Sequence, residues 1–306
     1  MPDPWVTFAP LQPDGIVPAE LSLPYKFTDQ ISLRAIPEWV REVDAVDELR
    51  PQIREKIENE ECRHCIEVEY QADAFGSPDP SWKGDPLWSM QDTAAQWIRY
   101  VHLALWLARP TALSFNLVID AVKNDQKWVT RGTTTYTETY PLPEHQHHTH
   151  TLEDFTNARS LFNTFLGVSQ GGPVRTAALM TMKALGDQTW EFRFLLMWLV
   201  LECLFGPETP HETTFRLSQR MAFFLEKERP KAREVYGRIK KSYEWRSRIV
   251  HGLRLSTVRG DQSDSLLVEL EEFVRRSLVE ILASETLVKA FDGGRREEYL
   301  DSLAFR

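Results

Sequence analysis

From about residue 152 onward, apolar residues recur at helical spacing in one block after another. The spacing predicts helices over 152–166, 174–185, 189–205, 213–228, 232–250 and 265–283. Gly171-Gly172-Pro173, Gly186, Gly206-Pro207 and Gly252 punctuate these blocks with residues that end helices or cannot continue them. The earlier half of the chain has a different rhythm. Residues 1–30 are Pro-rich and weakly periodic, which suits surface-wrapping chain or irregular strands. Residues 36–59 read as helix, interrupted or restarted at Pro51. Residues 66–72 alternate like a strand, and the Gly, Pro, Ser and Asp of 76–86 read as a loop.

A helix then opens with Asp92 as its N-cap, repeats through Ala95, Ile98, Val101, Leu105 and Ala108, and stops at Pro110. Residues 112–122 and 127–140 are β-prone, with Lys123-Asn124-Asp125 as a hairpin turn and the Thr-rich run 133–139 as a two-sided or edge strand. Residues 141–151 carry no regular pattern, so the domain boundary is expected there. The pattern as a whole predicts a mainly α protein: an α+β N-terminal domain over 1–150 and an all-helical domain over 151–306.

Composition narrows this picture. With 42% apolar and 26% charged residues the chain is of ordinary globular type. A net charge of −9 removes bulk attraction to nucleic acid, so any such role must rest on a local patch. Three Cys are too few for a disulfide framework and point to a reducing compartment, the cytoplasm. The apolar run 194–205 is shorter than the about 20 residues that span a bilayer and contains Glu202, so a buried helix is expected and no membrane association.

Two tracts carry metal-ligand residue types, Cys62-Arg63-His64-Cys65 and the run from His145 to His150. Thiolate and imidazole suit zinc. The competing reading is an incidental Cys pair and a solvated His-rich linker, and with no second CxxC present the sequence predicts neither metal nor cofactor. Cys203, within an apolar helix, is expected in the core.

The strongest chemical signal lies at the end of the helix over 232–250. Val235, Ile239, Tyr243, Ile249 and Val250 form one apolar face, with Tyr236 beside them. Gly252 suits the position just past a helix, which places His251 at the helix C-terminus. The run Tyr243-Glu244-Trp245-Arg246-Ser247-Arg248-Ile249-Val250-His251-Gly252 resembles the tyrosine, arginine-serine and histidine-glycine run of the ApeA-like branch of HEPN-domain proteins. Residues 198–205 and 216–225 resemble the first and second core helices of that branch. The resemblance covers roughly residues 155–285 and does not reach the first 150.

The resemblance implies a helical bundle that dimerises so that two Arg/His pairs face one cleft. It also implies metal-independent RNA cleavage, with transfer RNA among the candidate substrates, in a toxin or antiviral-defence setting. Carried onto this chain, His251 is the acid/base and Arg246 the phosphate clamp, with Ser247, Glu202 and Tyr243 in support. The residue types suit these roles. An imidazole exchanges protons near neutral pH. A guanidinium binds phosphate oxygens bidentately. An activating ligand is expected at the N-terminal domain.

Helix geometry adds a constraint, because residues five apart lie about 140° apart around the axis. Arg246 and His251 therefore need a second copy, or a loosened helix end, to act on one atom. Ser247 shares a face with His251 and is placed to orient the imidazole or a water. Glu202 either reaches Arg246 or Arg248, or faces solvent or an interface. Residues 227–259 hold eleven basic residues against three carboxylates, a net +8 in an acidic chain. Lys240, Lys241, Arg248 and Arg254 are the expected RNA contacts. The competing view of this strip is a solvated helix face.

Overall fold

A computed structural model of the protein describes residues 4–13, 16–42, 55, 62–71, 86–124, 127–136, 139–207, 213–252 and 260–305. The chain forms two compact units, Met1–Pro141 with His145–Asn163, and Leu142–Glu144 with Thr164–Arg306. The class is the expected one: an antiparallel sheet with helices, followed by a helical region.

The N-terminal unit is built on six strands, β1 (Pro4–Pro10), β2 (Tyr25–Lys26), β3 (Ile31–Ala35), β4 (His64–Gln71), β5 (Leu117–Asn124) and β6 (Lys127–Thr135). Their order is β2-β3-β4-β1-β5-β6, and every pairing is antiparallel. Of the two alternatives open for the first segment, strand pairing is the one formed, in a regular inner strand: β1 is paired with β4 on one side and β5 on the other. Both faces of β1 are buried, from Trp5 through Pro10. A strand buried on both faces loses the polar alternation by which strands are recognised, and its two Pro residues fall at the ends, where a missing N–H is tolerated.

Within this sheet Thr7 lies opposite Val68 on β4 and Asp120 on β5. Its hydroxyl bonds the Asp120 carboxylate and lies 3.1 Å from the Tyr70 hydroxyl. Burial pushes the Tyr70 phenol well above its ordinary value. Phe8, Cys65 and Ile119 form an apolar cluster covered by Ile36, Trp39, Val40 and Leu117. Trp39 belongs to α1 (Trp39–Glu42) and stacks on Trp128 at 5.1 Å. Most of the helix expected over 36–59, and most of the loop expected over 76–86, lie outside the described residues.

Helix α2 (Pro86–Ala108) packs on β1 and β4. It starts six residues before the expected cap, so Asp92 is inside the helix. Pro86 occupies the first position, where its missing N–H is one of the donors a helix leaves unbonded. Strands β5 and β6 pair as expected, but Lys123 and Asn124, expected in the turn, are the last residues of β5, paired with Trp128 and Lys127. Residues 125–126 lie outside the described residues, β5 begins at Leu117 and β6 ends at Thr135. The edge-strand expectation holds for β6, up to Thr135.

Helix α3 (Leu152–Leu166) is tied to this unit as far as Asn163. Asp154 accepts the Thr151 amide at 2.8 Å and Nε of Arg109 at 2.8 Å. The Tyr25 hydroxyl donates to the Phe155 carbonyl at 3.0 Å. The compact units therefore divide within α3, past the boundary expected at 150. The preceding His tract is solvated only in part: His147 is exposed, but His145 and His150 are buried. Cys62 and Cys65 are also buried, with no disulfide between them. Among the described residues no three His, Cys, Asp or Glu side chains are placed to hold a metal ion.

The C-terminal unit contains α4 (Pro173–Leu185), α5 (Trp190–Phe205), α6 (Thr213–Leu225), α7 (Arg229–Val250), α8 (Gly260–Leu282), α9 (Glu285–Asp292) and α10 (Arg296–Ser302). Helix α5 is the hub and packs on α4, α6, α7 and α8. Its Phe194, Trp198 and Phe205 join Phe273 and Phe291 as fully buried aromatics. Inside the bundle Arg193 donates to Glu271 at 2.7 Å. At the end of α5 the guanidinium of Arg296 donates to the Cys203 and Gly206 carbonyls, and that of Arg220 to the Phe205 carbonyl. These cations satisfy carbonyls that a helix end leaves unbonded, and they oppose its partial negative charge. No helix among the described residues is long and apolar enough to cross a membrane.

Candidate active site

The site is assembled by α5 and α7, which climb side by side in the same direction. Trp198 of α5 meets Tyr243 of α7 edge-on at 5.1 Å. One turn further along both helices, Glu202 meets Arg246. Nη2 of Arg246 donates to Oε2 at 3.2 Å, while Nε lies 3.1 Å from Oε1. The guanidinium also lies 5.5 Å from the centre of the Tyr243 ring. Of the alternatives open for Glu202, the pair with Arg246 is the one formed. Both side chains are about a fifth to a quarter exposed (20% and 24%), so the pair lies at the rim, where an approaching anion can still reach Arg246.

Arg246 can occupy this position because α7 turns one face inward. Ala232, Val235, Ile239 and Ser242 are buried on it. Arg246 continues that line one turn beyond Ser242, where the apolar packing stops. Val250 lies one turn further still and is 50% exposed, which corrects its expected place on the packed face. Below the ion pair, the Ser242 hydroxyl and the Trp198 indole N–H are buried without a hydrogen bond among the described residues.

His251 caps α7. Its amide donates to the Ser247 carbonyl at 3.1 Å, and the Gly252 amide donates to the Ile249 carbonyl at 3.0 Å. Gly252 has φ +62°, the left-handed conformation that closes a helix and favours glycine. The His251 side chain is exposed. It lies about 140° around the axis from Arg246, which faces α5. Within one chain the two residues therefore point to different sides of α7. Ser247 is half-buried, and the bond that ties it to His251 is made by its backbone.

Lys240, Lys241 and Arg248 are all exposed on the outer side of α7. The Arg248 guanidinium stacks over the Trp245 ring at 4.8 Å from its centre. Trp245 was not singled out in the sequence, although its spacing of three from Arg248 is the signal that two helical side chains meet. Arg254 lies outside the described residues. Cys203, expected in the core, is half-buried, and its thiol points at the Pro173 carbonyl at 3.5 Å. Burial raises that thiol above its ordinary value, partly opposed by the Arg296 charge.

Chemically, α7 offers one guanidinium already paired with a carboxylate, one exposed imidazole at a helix end with the exposed Arg248 cation one turn before it, and the exposed Lys240 and Lys241 about 15 Å further back along the helix. The arrangement suits a phosphodiester: cations to hold the phosphate, and a group to exchange protons next to it. Comparison with family models, with curated proteins and with solved structures finds no match to this chain.

Proposed function

We propose that the C-terminal unit is a metal-independent RNA endonuclease of the HEPN type, acting as a homodimer. The observation that carries this reading is the end of α7, where a rim-exposed Arg246 and a solvent-facing His251 lie on one helix turn and a half, with the exposed Arg248 between them and the exposed Lys240 and Lys241 earlier on the same helix. In the reaction the 2′-oxygen attacks the neighbouring phosphorus and the bond to the 5′-oxygen breaks. The proton of the 2′-hydroxyl passes to an imidazole, and the leaving oxygen is protonated in turn. The products are a 2′,3′-cyclic phosphate and a 5′-hydroxyl. Arg246 neutralises charge on the phosphate oxygens as the new bond forms.

The dimer follows from the divergence of Arg246 and His251, since a site using both draws one from each copy. Helix α5 supplies a surface for this. Phe192 is 60% and Leu199 41% exposed, with the half-buried Leu195 and Leu196 on the same side, and the stripe ends at Glu202. A helix apolar on all sides belongs inside a protein or an interface. A second copy covering this stripe brings two Glu202–Arg246 rims together. The N-terminal unit serves as a sensor with an activating ligand, in a cytoplasmic toxin or antiviral-defence effector.

One observation favours a second reading. Glu202 already occupies Arg246, as it would if Arg246 were structural and the unit bound RNA, nucleotide or a partner protein without cutting. The test is cleavage of total RNA and of transfer RNA in EDTA by the wild type and by His251→Ala, with the new ends mapped. Cuts by the wild type alone, ending in 2′,3′-cyclic phosphate, support the nuclease. RNA retained but left intact by both proteins, in the presence of cell extract as a source of activator, supports the binding module.

A further inference from the structure

We propose that Phe215 and Tyr236 form a stacking platform for an unpaired nucleobase, on the RNA track that leads to His251. The inference rests on the ribonuclease reading of α7 and adds the class of RNA that the site accepts. Phe215, in the first turn of α6, is 50% exposed, a large apolar side chain facing water. Its ring meets the half-buried ring of Tyr236 on α7 edge-on, with centres 6.2 Å apart and planes at 72°. Such a pair braces one ring against the other and leaves an aromatic face open.

The position of the pair on α7 gives it a direction. At 100° per residue, Lys240, Ser247 and His251 follow Tyr236 along the helix within about 60° of its azimuth. Arg233 precedes it within the same arc. Lys240 and Arg233 are exposed, as is Glu244, the one carboxylate that interrupts this line. Aromatic rings interleaved with cations match single-stranded nucleic acid, whose bases stack while its phosphates take the charge. Duplex RNA keeps its bases stacked inside and offers none to Phe215.

Fifteen residues of helix separate Tyr236 from His251, about 22 Å at 1.5 Å per residue. At a stacked spacing of about 3.4 Å per nucleotide, a base on the platform lies no more than about six nucleotides from the bond at His251. The platform would therefore favour cuts at a set distance from an unpaired base.

The test uses full-length His251→Ala protein in EDTA, a single-stranded RNA oligonucleotide carrying 2-aminopurine, and a duplex of the same length. Phe215→Ala, made in this background, is expected to weaken single-strand binding about tenfold, to leave duplex binding within twofold, and to abolish the 2-aminopurine quenching. Lys240→Gln is expected to flatten the salt dependence while the quenching persists. Single-strand binding by Phe215→Ala within twofold of its parent, or an equal loss on duplex, would overturn the platform. So would a failure of the parent to bind the oligonucleotide. Cleavage by the wild type is scored separately. A cutting enzyme indifferent to Phe215 removes the platform alone, and a platform on a protein that never cuts removes the nuclease alone.

Discussion

Glu202 and Arg246 form the pair on which the candidate chemistry turns, and its partial burial sets what each substitution costs. Arg246→Ala leaves the Glu202 carboxylate four-fifths buried without its cation, which costs about 1–3 kcal/mol. Glu202→Ala frees a guanidinium that can swing to water, so its cost is smaller, about 1 kcal/mol. The double substitution is expected to cost less than the sum, with a coupling of about 1 kcal/mol in urea denaturation of the four proteins. Additive losses would show that the two groups do not interact in solution. Arg246→Lys retains the charge but not the two-nitrogen fork, so it should recover stability better than RNA cleavage.

His150 offers a second test at the same scale. Its Nε2–H donates to the Leu105 carbonyl at 3.2 Å, so Nδ1 carries the lone pair, buried without a hydrogen bond among the described residues. Burial drives the imidazole down to about 4 from 6.5, assisted by His102 and Arg109 and opposed by the Leu105 bond and Asp154. The depressed value means that the folded protein binds fewer protons than the unfolded chain between these limits. Stability is then full above pH 6.5 and is lost as pH falls toward 4. Between pH 7 and pH 5 the loss is about 2 kcal/mol. His102, buried and shifted in the same direction, adds to it. Denaturant midpoints at pH 7 and pH 5 measure the slope. His150→Gln, which keeps a donor for Leu105, should flatten it, and an unchanged slope would assign the acid loss elsewhere.

Among the elements, the start of α4 shows how a short motif becomes a structural lock. Gly172 precedes Pro173, and the Asp292 carboxylate from the end of α9 accepts the Ser169 amide at 3.1 Å and approaches the Val174 amide at 3.5 Å. A Cβ at Gly172 would overlap that carboxylate. Gly172→Ala is expected to destabilise the protein by about 1–3 kcal/mol, and Asp292→Ala by about 1 kcal/mol through loss of the cap. Because the first change works by displacing the second residue, the double variant should lose little beyond Gly172→Ala alone. Chemical denaturation of the three variants decides it, and fully additive losses would separate the two positions.

The Gly-Gly-Pro signal was legible as a helix boundary; the carboxylate that fills it, more than a hundred residues away, was not. The same division runs through the fold. Helices such as α3 and α6 were readable because an apolar stripe at helical spacing survives in the sequence whatever covers it. Strand β1 was not, since burial on both faces erases the alternation. Helix α9 has local signals, Ser284 capping through the Leu287 amide and Gly293 at its end, but it is only eight residues long and too short for periodicity to stand out.

For the whole molecule, the decisive question is whether one chain can make a complete site. The spacing of Arg246 and His251 showed in the sequence that they diverge around the helix. It could not show that Arg246 turns inward to Glu202 while His251 faces water, because that depends on where α5 lies. A site that takes its guanidinium from one copy and its imidazole from the other has a distinctive consequence. Arg246→Ala and His251→Ala homodimers are each inactive, but mixing them under conditions that allow exchange yields heterodimers with one intact site. Activity is expected to return to about a quarter of the wild type, since half of the dimers are then mixed and each has one site of two. Leu199→Glu, on the exposed α5 stripe, should prevent the rescue by placing a charge in the contact between copies, and light scattering should show it as a monomer with unchanged helical content. No rescue, with exchange demonstrated by two differently tagged chains, would confine Arg246 and His251 to separate roles or to one chain. Rescue that persists in Leu199→Glu would move the interface to another face of the bundle.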